Sequence, residues 1–341
     1  MQIVIISDAG PPQVNGVVRT LGELAKRLRG RGHDVLMIGP ADFVSVPAPS
    51  YPEIRLAIAP GRKLARMIDQ AHPAAIHIAT EGPLGLAARK YCLTCGYPFT
   101  TAYHTRFPEY VKPRFGVPLS WSYALLRRFH GSARRVMVST DTIEQALTAY
   151  GFRNIVRWGR GVDTDLFKAG PDAKQLFDAL PRPVLLYVGR VAPEKNIEAF
   201  LDLKVPGTKV VVGDGPARKG LERRYPSARF LGPKSDADLV RHYAAADAFV
   251  FPSRTDTFGL VLLEALACGL PVAAYPVAGP LDVIANTGAG ALDEDFGAAV
   301  QRALTIPPDI CRAHALKFSW DESTSQFLAN VEPFVTLRKA S

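Results

Sequence analysis

Two cations and two acids fall where loops and helix ends are expected. In "YVGRVAPEKN", Gly189, Arg190 and Lys195 follow an apolar run; in "FPSRTDTFGLVLLEALACGLPVAAY", Asp256 precedes a helical stretch and Glu264 lies within it. The apolar runs read as parallel strands, whose ligands bind outside the carboxyl ends. Two fixed cations that close together suit an anion. A helix beginning near Thr257 or Phe258 would add free backbone N–H groups and a positive dipole end, with Gly259 letting the main chain approach closely. Such a site suits a diphosphate. Glu264 would lie two turns inside that helix, roughly 10 Å from its start, about one sugar ring beyond a phosphate bound at the helix end. A carboxylate there accepts hydrogen bonds from paired ribose hydroxyls. Asp256 would face the other side of the phosphate, where a transferred group sits. One ligand then spans both acids: nucleoside, diphosphate, sugar. Paired carboxylates also suit glycoside hydrolysis, but a plain glycoside has no need of the phosphate affinity that Arg190 and Lys195 supply.

The elements that must hold these residues alternate. "QIVIIS…NGVVRTLGELAKRLRGRGHDVLMIG" reads as strand, helix and strand, with Val17, Leu21, Leu24 and Leu28 at helical spacing. Strands "AAIHIAT", "PFTTAYH", "RRVMVST" and "NIVRWG" follow, separated by helices "GPLGLAARKYC", "LSWSYALLRRF" and "DTIEQALTAYG". After a stretch punctuated by Gly and Pro the pattern restarts with "VLLYVGR", and the strands "ARFLG", "AFVFPS" and "LPVAAY" come later. Such alternation predicts α/β domains with doubly wound parallel sheets, and 341 residues fit two of them. The expected boundaries are 1–167, 168–320 and a final segment, 321–341, forming a helix that crosses back to the first domain. Two such sheets imply a cleft between them.

The first domain offers a second set of polar residues. "TAYHTRFPEYV" ends a strand in His104, with Tyr103 and Arg106 beside it; an imidazole there can donate to a hydroxyl or carry a proton. "PPQVNGVVRT" brings Gly16 and a helix N-terminus to the same edge as a second anion seat. "TEGPLG" lines the next loop, with Glu81 and Gly82 where an acceptor enters. The D-x-D strings beginning at Asp163, Asp236 and Asp293 do not follow a strand of the first domain and read as turns and caps rather than a metal site.

The net charge of +9 is unevenly spread: residues 1–165 hold 21 Lys and Arg against 12 Asp and Glu, while residues 166–341 hold 20 of each. Much of the excess lies in "AKRLRGRGH" and in "VKPRFGVPLSWSYALLRRFHGSARR", where Lys112, Arg114, Arg127 and Arg128 alternate with Trp121, Tyr123 and Phe129. Basic residues near an anionic bilayer contribute about 1 kcal/mol each, so this face is expected to meet a membrane surface without inserting; nucleic acid is disfavoured because no binding motif accompanies the charge. No apolar run approaches the roughly 20 residues of a membrane span, and the first strand begins at Met1 without a basic leader region, so a cytosolic protein, peripheral on the inner face of the membrane, is expected. Four cysteines, with one C-x-x-C at Cys92 and Cys95 and two distant thiols, give no zinc set and fit a reducing compartment.

"GRVAPEKN", "GDGP", "PSRTDTFGLVLLEALACGLPVAAYPVAGP", "YHTRFPEY", "PPQVNGVVRT" and "RGVDTDLF" together resemble the retaining GT-B glycosyltransferases of glycosyltransferase family 4. "TEGPLG" and "SRTDTFGLVLLEALACG" look most like the branch that includes diacylglycerol glycosyltransferases, sulfoquinovosyldiacylglycerol synthase-like enzymes and mannosyltransferases. The resemblance implies a hexosyltransferase that moves a sugar from a UDP- or GDP-sugar to a lipid such as diacylglycerol, with retention and with neither cofactor nor metal. A soluble saccharide or small-metabolite acceptor is the alternative, as is a nucleotide-sugar epimerase. It also implies that Arg190 and Lys195 hold the donor diphosphate, with the backbone at Gly259 and Leu260. Glu264 would hold the ribose, Gly16 would lie near the phosphate, and His104 would contact the donor sugar. Phe258 completes the donor set. The family most often carries Glu where this chain has Asp256, which puts the contact to the sugar hydroxyls, and donor choice, at issue.

Overall fold

The first five-residue strand is apolar at all but its first position, as a strand covered on both faces must be. It forms β1 (Gln2–Ile6), whose Ile3, Val4, Ile5 and Ile6 are fully buried. The computed structural model describes the chain except residues 12, 14, 49, 50, 110–115, 171, 172 and 335–341. It divides into two units, Met1–Gly159 with Trp320–Ser341, and Arg160–Ser319.

In the first unit β1 is followed by α1 (Gly16–Gly30), β2 (Asp34–Ile38), β3 (Ser45–Ala48), β4 (Tyr51–Ala57), α2 (Gly61–Ala71), β5 (Ala75–Ile78) and α3 (Pro83–Cys95). Then come β6 (Thr100–Ala102), α4 (Leu119–His130), β7 (Val136–Val138), α5 (Asp141–Ala149) and β8 (Ile155–Arg157). Six strands form a parallel sheet in the order β2-β1-β5-β6-β7-β8. The antiparallel β3-β4 hairpin and α2 are additions that the alternation of the sequence does not predict. Helix α1 buries Leu21, Leu24 and Leu28 in keeping with their helical spacing.

The second unit repeats the plan. It contains β9 (Val184–Val188), α6 (Ile197–Leu201), β10 (Thr208–Val212), α7 (Arg218–Arg224), β11 (Arg229–Gly232), α8 (Asp236–Ala245) and β12 (Ala248–Phe251). There follow α9 (Leu260–Ala267), β13 (Val272–Ala274), α10 (Pro280–Ile284), β14 (Gly290–Leu292), α11 (Phe296–Ala303) and α12 (Pro308–Ala315). Its sheet is parallel, in the order β11-β10-β9-β12-β13-β14. In each sheet the first strand is flanked by the next strand on one side and by a later one on the other. The strand order therefore reverses between β1 and β5 and between β9 and β12.

The units meet at Gly159/Arg160, eight residues before the boundary read from the sequence. The reason is packing: Val162 and Phe167 belong to the second unit's core, and the Arg312 guanidinium donates to the carbonyls of Thr164, Phe167 and Ala267 at 2.8, 2.6 and 2.6 Å. The last helix, α13 (Trp320–Asn330), lies with the first unit against α1. Arg27 Nη1 donates to Asp321 Oδ1 at 2.9 Å, and the buried Phe327 ring meets His77 edge-on at 5.1 Å.

Gly85 in α3 is fixed by close approach. A Cβ there would stand 1.9 Å from the Thr80 carbonyl oxygen. Gly85→Ala is expected to lower stability by roughly 1–3 kcal/mol, measured by denaturant unfolding.

Candidate active site

The reversal between β9 and β12 is where an open parallel sheet binds its ligand; the stretches leaving those two strands carry Arg190, Lys195 and Asp256, and Glu264 lies in the helix that follows the second. Gly189 follows β9 directly, with the Tyr187 hydroxyl folded over it and donating to the Arg190 carbonyl at 2.8 Å. Burial, and then the charge of Asp256, push that phenol well above its ordinary range, so it stays protonated. A short 3-10 turn, Pro193–Lys195, then presents the Lys195 ammonium.

Lys195 Nζ donates to Asp256 Oδ1 at 2.5 Å, both side chains being about four-fifths buried (20% and 19% exposed). The second carboxylate oxygen, Asp256 Oδ2, is buried without a hydrogen-bond partner among the described residues. Two further bonds join the same loops: Asn196 Nδ2 donates to the Pro252 carbonyl at 3.1 Å, and Thr255 Oγ1 to that of Glu194 at 3.5 Å. Sequence reasoning gave Lys195 and Asp256 separate duties; the structure makes them a pair.

The helix after Asp256 starts later than expected. Asp256, Thr257 and Phe258 are not helical, and Gly259 adopts the left-handed region at φ +83°, a conformation that favours glycine. Helix α9 begins at Leu260, and no side chain among the described residues caps it. Glu264 consequently lies little more than one turn inside, about 6 Å from the first residue rather than 10 Å. It is 4% exposed and accepts from the Tyr243 hydroxyl at 3.0 Å. Phe258 is buried, its ring edge-on to Phe318 at 6.4 Å. Arg254 anchors the loop from outside: its guanidinium lies 3.6 Å over the Tyr275 ring and donates to Glu294 at 2.9 Å. The sequence reading missed Tyr243, Arg254 and Tyr275. No local pattern marks them, since each acts through a partner at least 21 residues away or through a ring at close range.

The corresponding reversal of the first unit is built differently. Asp8, just beyond β1, turns its carboxylate onto the start of α3, where Oδ1 accepts from Leu84 N at 2.8 Å and Oδ2 from Gly85 N at 3.2 Å and from Thr80 Oγ1 at 2.9 Å. Burial raises the Asp8 pKa against the lowering effect of those bonds. Gly82 is part of this contact, because a Cβ on it would meet Asp8 Cγ at 2.5 Å. At α1, which Gly16 opens, the Asn15 side chain accepts from Val17 N and Val18 N at 3.0 Å each. Both helix starts are thus capped by the chain itself.

Glu81 accepts from the buried His130 Nε2 at 3.1 Å, while His130 Nδ1 meets Thr101 Oγ1 at 2.9 Å. The acceptor role of Thr101 or of His130 depends on the tautomer; a carboxylate partner requires the proton on Nε2. His104 lies edge-on to Trp158 at 5.7 Å. Tyr103 is buried, and Arg106 donates to Glu109 Oε1 at 2.9 Å, an oxygen that also takes the Tyr123 hydroxyl at 2.7 Å. Lys112 and Arg114 lie outside the described residues. Of the remaining basic and aromatic set, Trp121 is 73% exposed and Arg128 is exposed, whereas Arg127 folds back to donate to the Tyr150 carbonyl at 2.7 Å. Leu125, 68% exposed, shares the face of Trp121 and Arg128 at positions i, i+4 and i+7.

The D-x-D strings serve local turns. Asp163 Oδ1 accepts from Asp165 N and Leu166 N, Asp236 opens α8, and Asp293 accepts from Asp295 N and Arg302. The thiols of Cys92, Cys268 and Cys311 are each pushed up to about 12, chiefly by burial.

Residues 14–166 match Glycosyltransferase Family 4, and residues 172–305 match Glycosyl transferases group 1. The chain is 30% identical over 319 residues to a GDP-mannose-dependent alpha-mannosyltransferase of Mycobacterium tuberculosis, covering 86% of this chain and 83% of that one. The chain belongs to glycosyltransferase family 4. Within the family it is also 27% identical over 377 residues to the alpha-monoglucosyldiacylglycerol synthase of Streptococcus pneumoniae, covering 98% of this chain and 85% of that one. Its fold is GT-B, two parallel-sheet Rossmann-like domains: a sucrose-phosphate synthase from Thermosynechococcus elongatus superimposes with a TM-score of 0.75 at 22% identity, over 96% of this chain and 97% of that one. The chain is a hexosyltransferase that draws on a nucleotide-sugar donor.

The Lys195–Asp256 pair predicts coupled behaviour in this family member. Lys195→Ala is expected to lower turnover at least about a hundredfold, and Lys195→Arg to recover little of it, because a planar guanidinium does not reproduce the compact ammonium. Asp256→Asn should cost less in the Lys195→Ala background than in the wild type, since the single change already strands the carboxylate. Steady-state rates of the wild type, the three single variants and the Lys195→Ala/Asp256→Asn double variant check both statements.

Proposed function

We propose that this enzyme transfers mannose from GDP-mannose, with retention at the anomeric carbon, to the hydroxyl of a diacylglycerol-type lipid at a membrane surface. The observation that carries the donor half is the convergence of Arg190, Lys195, Asp256 and the uncapped start of α9 on the one point of the second sheet where strand order reverses. In this reading Arg190, Lys195 and the backbone at Gly259 and Leu260 take the diphosphate, and Glu264 takes the ribose. Asp256, held by Lys195, meets the sugar. The family pattern gives His104 the sugar, and the place of Glu81 in the loop after β5 gives it the acceptor side.

The work of the protein is then positioning, and stabilisation of the charge that develops on the leaving diphosphate. The acceptor oxygen attacks from the face the diphosphate leaves, the bond from anomeric carbon to phosphate oxygen breaks, and the acceptor's proton passes to a phosphate oxygen. No enzymic nucleophile is needed. Cationic side chains do the neutralising, so the reading asks for no metal.

The base and sugar are proposed from the mannosyltransferase relative, and the acceptor from the diacylglycerol enzyme. The exposed row Trp121, Leu125 and Arg128 on α4 supports membrane contact. An indole and a leucine on one face suit the interface between headgroups and acyl chains, and the arginine suits anionic lipid. No helix among the described residues is long and apolar enough to cross a membrane.

A thermal-shift comparison of GDP-mannose, UDP-glucose and UDP-galactose should give the largest rise in melting temperature with GDP-mannose. GDP release should then require vesicles containing diacylglycerol, yield an α-linked mannolipid, and persist in EDTA. Trp121→Ser with Leu125→Ser should reduce sedimentation with anionic vesicles while leaving the thermal shift by GDP-mannose intact. A larger shift with a UDP-sugar overturns the donor, and full turnover on a soluble saccharide without vesicles overturns the acceptor.

A further inference from the structure

The segment "GDGPARKGLE", which leaves β10, holds none of the four residues proposed to grip the donor, yet its backbone is fastened to the loop that holds Arg190 and Lys195. Val191 N donates to the Asp214 carbonyl at 2.8 Å, and Ala217 N to the Val191 carbonyl at 3.1 Å, both on the residue next to Arg190. On its other side Gly213 N donates at 2.9 Å to the carbonyl of Gly232, the last residue of β11. The approach leaves no room for side chains: a Cβ on Gly213 would stand 1.9 Å from the Gly189 carbonyl oxygen, and one on Gly215 2.4 Å from that of Val191. The carboxyl ends of β9, β10 and β11, neighbours in the sheet, thus form one crest beside the proposed diphosphate site.

Arg218 stands on this crest, one residue beyond the bond from Ala217. Its Nε donates to Glu222 Oε1 at 2.8 Å, and its Nη1 lies 3.6 Å from Asp214 Oδ2, an ion-pair distance beyond hydrogen-bond length. The guanidinium covers Gly232, on which a Cβ would come within 3.1 Å of Nη1 and 3.8 Å of both Cζ and Nη2. A quarter of the side chain (25%) stays exposed, so a ligand can reach it. Two carboxylates flank its single positive charge, which makes Arg218 a poor seat for a phosphate. Among the described residues its terminal nitrogens make no hydrogen bond. A guanidinium is planar and always charged, and its parallel donors suit two acceptors lying side by side. Guanine presents such a pair in O6 and N7; uracil offers O4 without a second acceptor beside it.

We propose that Arg218 is the base-reading residue of the donor site: its terminal nitrogens donate side by side to O6 and N7 of guanine, while Glu222 and Asp214 hold the guanidinium in place over Gly232. This rests on the donor reading above and deepens it, because it gives the preference for GDP over UDP a residue. The base then lies over the ends of β10 and β11, on the side of β9 away from β12.

The test is a cycle between protein and ligand. Calorimetric titrations use GDP, 7-deaza-GDP and UDP against the wild type, Arg218→Ala and Arg218→Lys. The wild type should bind GDP best, and 7-deaza-GDP, which has a C–H in place of N7, about fivefold more weakly, the scale of one hydrogen bond from a charged donor. Arg218→Ala should weaken GDP about tenfold, within the range for a two-bond contact to guanine. In that variant GDP and 7-deaza-GDP should bind alike to within about twofold, because the contact that tells them apart is gone. UDP should change by less than about threefold. Arg218→Lys keeps a charge between the two acids, which guards against poor folding of the alanine variant, yet as a point charge on a flexible stem it should still cost GDP at least about threefold while sparing UDP. The ligands are compared on one protein, so a loss of stability common to all of them divides out. A common loss for the three ligands, no loss for any, or an unchanged ratio of GDP to 7-deaza-GDP in Arg218→Ala would overturn the assignment of Arg218 while leaving the donor reading standing. Tighter binding of UDP than of GDP by the wild type, or binding of neither, would overturn that reading and the assignment with it.

Discussion

An ion pair joins the two loops on which the proposed donor site is built. Lys195 comes from the loop after β9 and Asp256 from the loop after β12, strands that are neighbours in the sheet though far apart in the chain. At 2.5 Å and four-fifths buried, the pair is not a surface bridge of negligible worth. Removing Lys195 leaves the Asp256 carboxylate as an uncompensated charge in a low-dielectric setting. The bonds from Asn196 to Pro252 and from Thr255 to Glu194 fasten the same two loops, so the cation aimed at an anion is placed by three contacts rather than by its own flexible stem.

The two units solve the same topological problem in opposite ways. Each has a parallel sheet whose strand order reverses beside its first strand, and each places a nearly buried carboxylate close by. In the first unit Asp8 closes the start of α3, Asn15 closes α1, and Gly82 and Gly85 are small because that carboxylate and the Thr80 carbonyl lie against them. In the second, the start of α9 carries no side-chain cap, and the buried acid, Glu264, is satisfied in part by a tyrosine from another helix. A helix whose N-terminal N–H groups are met by the chain's own oxygens offers little to a phosphate, and one that is left uncapped offers more. That contrast supports placing the proposed donor site at the reversal of the second sheet.

Much of this was legible in residue order. Continuous apolar runs such as "QIVII" and "VLLYV" announce strands covered on both faces, and helical spacing in "VVRTLGELAKRL" announces α1, because burial on a sheet imposes those periods. The expectation that the Arg190 to Lys195 loop meets an anion also rests on residue types alone. The start of α9 was less legible. Nothing in "DTFGLVLLEAL" states that Gly259 takes a left-handed conformation and delays the helix to Leu260, which brings Glu264 nearer the helix end than the spacing suggests. The domain boundary moved for a related reason: Phe167 looks like linker in the sequence, but it packs in the second core and its carbonyl is held by Arg312.

The sequence by itself determined the periodicities, the number of domains, the basic excess before residue 166 and the set of polar residues at strand ends, because each depends on residue type and near-neighbour spacing. Only the tertiary structure decided which of those residues meet. Lys195 and Asp256 are separated by 61 positions, Tyr243 and Glu264 by 21, and Glu81 and His130 by 49. Partnerships at such separations are set by the order in which strands join a sheet and by the helices packed upon it, and no local preference of the chain encodes that order.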